Sequence, residues 1–268
     1  MPDIFDLIAR WWKQMFFVML LSLLAVGVIT FLKPRKYLST ATALPVSAVL
    51  SDKAKIFNDN IQYLYSTLGS ADELDRIIGT GNLDTIYLAV TQQFNLADHY
   101  KIKGTDDEML TRSAAELKEN TKVIKSEYGE LKVKVWDTDK NLAPQLANAL
   151  MEKLNAIHES LQNQNNGAAL MNLRRGRGKI AAEIDSLSDP ARRNMLQQRM
   201  EQYEKLISQY ELMVNSRNPA LAIVENARAA TRPDKPKRMQ IMIATAFLSF
   251  LFAFLAAIVM ERRKNNSQ

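Results

Sequence analysis

The residues able to do chemistry in this 268-residue chain are few and poorly spaced for it. Its two histidines, His99 and His158, stand far apart and there is no cysteine. Neither an imidazole cluster nor a thiolate set is there to hold zinc or a softer metal. His158-Glu159 begins the pattern of a zinc-protease helix, but Gln162 occupies the place of the second histidine. A hydrolytic triad would have to draft one of those two imidazoles, and no serine sits in a glycine-flanked elbow. Gly176-Arg177-Gly178-Lys179 looks like the end of a phosphate-cradling loop. That loop requires a glycine where Leu173 stands and a serine or threonine where Ile180 stands. The expectation is a chain with no catalytic, cofactor-binding or metal site, and not an enzyme.

Binding surfaces remain. Arg174, Arg175, Arg177 and Lys179 form the densest positive cluster of the middle region, broken by two helix-weakening glycines. The cluster reads either as a contact for an anionic polymer or lipid phosphate, or as a solvated helix face with a bend. Residues 34–238 carry 29 Lys and Arg against 26 Asp and Glu, a net of +3, too slight a bias to imply a nucleic-acid partner.

The elements that position these residues begin with two uncharged apolar stretches, Met15 to Leu32 and Met239 to Met260. At 1.5 Å per residue they reach roughly 27 and 33 Å, which bracket a hydrocarbon core of about 30 Å. Arg10 and Lys13 before the first stretch, and Ala41-Thr42-Ala43 after it, also suit a cleaved signal peptide. The small residues come too late for that, behind Lys33, Pro34, Arg35 and Lys36, and Trp11 and Trp12 are placed as headgroup-level anchors. A membrane hairpin follows: both termini on one side, residues 33–238 on the other. Basic residues are more numerous on the inner flanks than on the outer ones, which taken alone favours a cytoplasmic middle. Long loops translocate largely regardless of charge, so the count does not fix the sidedness.

Within the loop, Tyr37 to Val46 reads as a strand. Residues 53–79 and 83–94 show helical apolar spacing, with breaks expected at Gly69, Gly79 and Gly81. Asp106 or Asp107 is expected to cap a helix running to about Leu117. Lys122 to Glu127 and Leu131 to Trp136 alternate around Tyr128-Gly129-Glu130, a hairpin with Leu131, Val133 and Val135 on its packing face. From about Asp139 to Ser216 the apolar spacing is helical, with Ser188-Asp189-Pro190 as a break and a new N-terminus. Leu196, Met200, Tyr203, Ile207, Tyr210 and Val214 then form a heptad stripe, for packing within the chain or between subunits. Ala220 to Glu225 reads as a last strand, and Arg232 to Arg238, with Pro233 and Pro236, as a stiff connector. In the second span, Thr245, Ser249, Ala253 and Ala257 make a small-residue stripe that admits a close helix, be it the first span, a neighbouring copy or another protein.

The fold class expected is α+β: two transmembrane helices flanking an extracytoplasmic α/β base domain with a long helical hairpin extension. The segments are 1–14 cytoplasmic, 15–32 first span, 33–138 base, 139–218 extension, 219–238 strand and connector, 239–260 second span and 261–268 cytoplasmic tail. In this order the chain resembles the chain-length determinant family, the Wzz-like polysaccharide co-polymerases. Ile223-Val224-Glu225-Asn226-Ala227 followed by Pro233, Pro236 and Lys237-Arg238 is similar to that family's proline-rich approach to its second membrane helix. Gly129 to Asp137 running into Leu142-Ala143-Pro144-Gln145-Leu146-Ala147-Asn148-Ala149-Leu150 is similar to its strand and Ala-rich, Asn-containing helix start.

The resemblance implies a periplasmic base, ring-shaped homo-oligomers in the inner membrane and a non-catalytic role. That role is to set the chain length of a lipid-linked surface polysaccharide, such as O-antigen, by acting on the membrane polymerase. It implies the type without a fused kinase, since little sequence follows Met260. Pro233, Pro236, Lys237 and Arg238 are then a spacer or a polymerase contact. A second reading is a two-span envelope adaptor or sensor of an export complex, for which the short termini leave little room for output. A membrane-embedded enzyme is a third, against which the spans offer no ionisable residue.

Overall fold

The computed structural model describes residues 4–46, 71–186, 189–215 and 219–265. The chain forms two compact units, one of residues 1–38, 137–140 and 230–268, the other of residues 39–136 and 141–229.

The first unit is built on two long apolar helices, α1 (Ile4–Leu32) and, at the other end of the chain, α8 (Arg238–Asn265). Their spans of membrane-crossing length and composition are Ala9–Leu32 and Arg238–Glu261. Phe16, Phe17, Leu21, Leu24, Phe247, Phe252 and Leu255 are exposed on them. Large apolar side chains pointing outward along both helices fit a hydrocarbon surround and not water. The helix α1 begins at Ile4, ahead of the apolar stretch that starts at Met15, since no proline or glycine stands between them to end it. α1 packs along α8, with Met15, Ala253 and Ala257 buried between Trp11, Val18, Phe254 and Ile258.

The second unit holds a four-stranded sheet of β1 (Tyr37–Pro45), β2 (Thr121–Lys125), β3 (Leu131–Asp137) and β4 (Leu221–Glu225), in the order β2-β3-β1-β4. β2 and β3 are the antiparallel hairpin the alternation predicts, in the register Val123 opposite Val133. Gly129 supplies the positive φ of +77° that its turn requires. Ser126 accepts from the Tyr128 and Glu130 N–H groups and donates to the Glu130 carboxylate at 3.0 Å. Lys132 reaches the same carboxylate at 3.0 Å. That contact and the Ser126 bond hold Glu130 below the usual carboxyl range. Leu131, Val133 and Val135 are fully buried, as the expected packing face. β1 and β4 pair antiparallel although almost the whole loop separates them in sequence, with a bulge that leaves Val224 unpaired.

Short helices cover this sheet: α2 (Ala71–Gly81), α3 (Asp84–Phe94), α4 (Leu96–His99) and α5 (Asp106–Glu119). The helix expected over residues 53–79 is described only from Ala71, and Gly69 lies outside the described residues. Gly79 does not break α2, which runs on to Gly81. One interior glycine costs about 1 kcal/mol, and burial of Leu74 and Ile77 on the same helix offsets it. Gly81 does mark the end, and a Cβ there would meet Val123 of β2 at 3.0 Å. The cap of α5 is Thr105 and not Asp106 or Asp107: Thr105 and Glu108 form a capping box, with the Glu108 carboxylate accepting from the Thr105 N–H at 3.2 Å. The aspartates fall in the first turn, where negative charge favours the dipole. Tyr87 of α3 is buried, donates to the Gly81 carbonyl at 2.8 Å, and has its pKa pushed up to about 12 by burial and then by Asp84.

The long element is α6 (Leu142–Ser186), 45 residues or roughly 68 Å. Its first third belongs to the core, with Ala143, Leu146, Ala147, Leu150, Met151 and Leu154 buried. Beyond Leu154 only Leu170 and Ile180 are buried, so the helix leaves the base there. It runs uninterrupted through Gly176 and Gly178, where the sequence predicts a weakened helix with a bend. α7 (Pro190–Asn215) returns along it. Asp189 caps α7 by accepting from the Ala191 N–H at 3.0 Å, with proline at the first helical position. The heptad stripe lies toward α6, with Leu196 and Ile207 buried.

Candidate functional site

Two stretches of the second unit, distant in sequence, meet at Asn148. This residue and Asn155 lie two turns apart on the core-facing side of α6, polar positions in an otherwise apolar run. The Asn148 side chain accepts from the Ala227 N–H at 2.8 Å and donates to the Ala227 carbonyl at 3.5 Å. Asn155 accepts from the Leu221 N–H at 2.8 Å. Ser39 of β1 donates to the Arg228 carbonyl at 2.8 Å. β4 and the segment after it are thus tied at both ends to α6 and β1, and Leu221 and Ala227 are buried while the strand between them is not. Ile223 and Val224 are exposed at the sheet edge. An open edge with apolar side chains is a surface ready to pair. Sequence reasoning quoted Asn148 only as part of a motif and missed Asn155; the usable signal was asparagine recurring at seven residues on a buried helix face.

Arg174, Arg175, Arg177 and Lys179 all lie exposed midway along the hairpin. Arg174 pairs with Glu211 of α7 at 2.7 Å. At 100° per residue the others ring the helix instead of sharing one face, Arg175 and Lys179 on one flank and Arg177 on the other. No ion pair of these three occurs among the described residues. Gly176 turns toward α7, where a Cβ would stand 2.6 Å from the Tyr203 ring, while nothing approaches Gly178 within 4 Å. One glycine permits helix contact and the other faces open space.

In the first unit, Lys36 and Lys235 form an isolated bridge, through Lys36 N–H to the Lys235 carbonyl at 2.9 Å, with Asp234 N–H to the Lys36 carbonyl at 2.9 Å. It joins the chain leaving α1 to the connector entering α8. Pro233 and Lys237 are exposed, Pro236 and Arg238 half-buried. The Arg238 guanidinium lies 4.6 Å from the centre of the Phe31 ring, a cation–π contact. At the opposite end of the same helices, Glu261 is buried and accepts from Arg10 and, at 2.9 Å, from the Trp11 indole. Its role was invisible to spacing arguments, because the partners are 250 residues apart. Of the small-residue stripe, Ser249, Ala253 and Ala257 are buried and Thr245 is half-buried. The Thr245 and Ser249 hydroxyls donate to Ile241 and Ala246 carbonyls within the helix.

Among the described residues no group of three or more His, Cys, Asp and Glu is placed to hold a metal. The buried Nε2 of His158 has no hydrogen-bond partner there either. Compared with solved structures, the chain is similar to a full-length bacterial polysaccharide co-polymerase, with a TM-score of 0.40, 14% identity, and 99% of this chain and 98% of that chain covered. It is also similar to a fragment of WzzB, a polysaccharide co-polymerase from Salmonella Typhimurium, with a TM-score of 0.36, 16% identity, and 75% of this chain and 100% of that chain covered. No family model and no curated protein matches it.

Proposed function

We propose that this chain is a non-catalytic, membrane-anchored co-polymerase that sets the length of a lipid-linked surface polysaccharide. The observation that carries the reading is the joint at Asn148. Of the two stretches on which the family resemblance rests, one contains Asn148 and the other Ala227, and they are bonded to each other. Residues shared with a family in sequence are here shared in one structural device, which fixes the strand leading toward the second span.

In this reading the two apolar helices lie in the inner membrane, the termini are cytoplasmic and the α/β base with its hairpin is periplasmic. Copies of the chain associate, and the exposed Ile223 and Val224 edge offers one surface for that association. The segment Pro233 to Arg238 is a stiff link into the second apolar helix and faces the polymerase. Arg175, Arg177 and Lys179 present donors to the growing polymer along the hairpin. The hairpin itself, two helices packed by a heptad stripe, gives a long surface along which a polymer can lie.

Deleting and restoring the gene, and reading the polymer's length distribution on a gel, tests this. Loss of a preferred length with polymer still made supports it. An unchanged distribution, or no polymer at all, moves the role to an adaptor of the export machinery.

A further inference from the structure

At the end of the helix pair away from the chain termini, residues 33–38 and 230–238 of the first unit hold seven Lys and Arg against one Asp. Residues 137–140 of the same unit add Asp137, which is buried, and Asp139 beside Lys140. We propose that this end is a collar that binds the phosphate of an anionic glycerophospholipid, with Arg238 as its fixed donor.

Three features select this occupant. The first is depth. Phe31 is the last residue but one of the first span and Arg238 opens the second, so the collar stands where acyl chains give way to headgroups. The second is the setting of Arg238. Its guanidinium lies 4.6 Å from the centre of the Phe31 ring, and that ring is 63% exposed on a helix whose other large outward side chains are apolar. The Arg238 Nε is buried and has no hydrogen-bond partner among the described residues. A buried donor left without an acceptor is costly, and the planar fork of a guanidinium suits the oxygens of a phosphate. A lipid phosphate reaches a donor held against a lipid-facing ring from the bilayer side, whereas the carboxylate of a soluble partner would have to enter the hydrocarbon edge. The third feature is surplus charge. Lys33, Arg35, Arg232 and Lys237 are exposed, and no ion pair of these four occurs among the described residues. The bridge between Lys36 and Lys235 ties their two segments side by side, so like charges are gathered in one place and an anion between them relieves the repulsion. In the orientation proposed above this is the translocated side, where span flanks ordinarily carry fewer Lys and Arg. Topology therefore does not account for the charge, and a ligand does. The inference takes that orientation from the proposed function and nothing of the role in polymer length, so its failure leaves the gel test of that role untouched.

The test is native mass spectrometry of the full-length chain in mild detergent, with added phosphatidylglycerol or phosphatidylcholine. Two variants accompany the unsubstituted chain. Arg238→Gln removes the fixed donor, and the double change Arg232→Gln, Lys237→Gln removes exposed charge while leaving the contact with Phe31 in place. The expected result is that phosphatidylglycerol is retained more than phosphatidylcholine, and is held about fivefold more weakly by Arg238→Gln and at least as much more weakly by the double variant. Phosphatidylcholine is retained equally by all three chains, and millimolar inorganic phosphate leaves phosphatidylglycerol bound. Equal retention of both lipids by the unsubstituted chain overturns the proposal. So does unchanged phosphatidylglycerol retention in either variant, which leaves the collar to an acidic surface of a protein partner. Displacement of the lipid by inorganic phosphate also overturns it, by making the collar a site for a free anion.

Discussion

Asn148 does with one side chain what a strand does with several: it satisfies both the N–H and the carbonyl of Ala227, a buried residue. Removing it leaves a buried N–H without a partner, a loss of about 1–3 kcal/mol. Asn148→Ala is therefore expected to lower the thermal unfolding midpoint of the full-length chain measurably, while Gln145→Ala, exposed on the same helix, leaves it near its starting value. His158 is a second informative residue. Burial lowers its imidazole pKa below 6.5, because the charged form is desolvated. Between 6.5 and that lower folded value the unfolded chain binds more protons, so stability falls as pH drops through the window and is flat above it. His158→Gln is expected to flatten that slope in unfolding midpoints recorded across the same range; an unaltered slope contradicts it. Neither effect was readable from sequence. Asn148 gains its meaning from a partner 79 residues away, and a lone histidine on a long helix gives no sign of its burial.

At the scale of elements, local rules carried far. The strand from Tyr37, the hairpin around Gly129, the break at Asp189-Pro190 and the heptad stripe of α7 each follow from spacing local to one stretch of sequence. Gly79 was read as a breaker, where burial of Leu74 and Ile77 overrides a propensity of about 1 kcal/mol, and the Gly176 and Gly178 pair as a bend in a helix that runs on through both. The two hairpin glycines now separate by environment. Gly178→Ala is expected to stabilise the helix by up to about 1 kcal/mol, having open space around it. Gly176→Ala gains less or loses, because Tyr203 must move. Denaturant midpoints of the two variants check this; equal stabilisation by both would mean that the close approach of α7 at Tyr203 carries no constraint. The Thr105 cap shows a different limit: three acidic residues follow one another, and only the capping geometry decides which residue comes first.

At the scale of the whole molecule, the two helices of the first unit are linked at one end by the Lys36 and Lys235 bridge with Arg238 over Phe31, and at the other by Glu261. A pair clamped at both ends behaves as a single anchor, and each long-range clamp was beyond the reach of a periodicity argument. Sidedness has its own check, aided by the absence of cysteine. A cysteine at Tyr128, a residue that is 85% exposed, is expected to react with an impermeant maleimide once the outer membrane is opened. One at Asn266 is expected to react only after the inner membrane is broken, and the reverse order would place the middle region in the cytoplasm. The central claim rests on what the chain does to a polymer, and its most direct measurement is the gel profile of the surface polysaccharide in deleted and restored cells. The account predicts that deletion abolishes the preferred length without abolishing polymer, and that restoring the unsubstituted chain returns it while Asn148→Ala returns it only in part. A distribution indifferent to the gene would contradict the account.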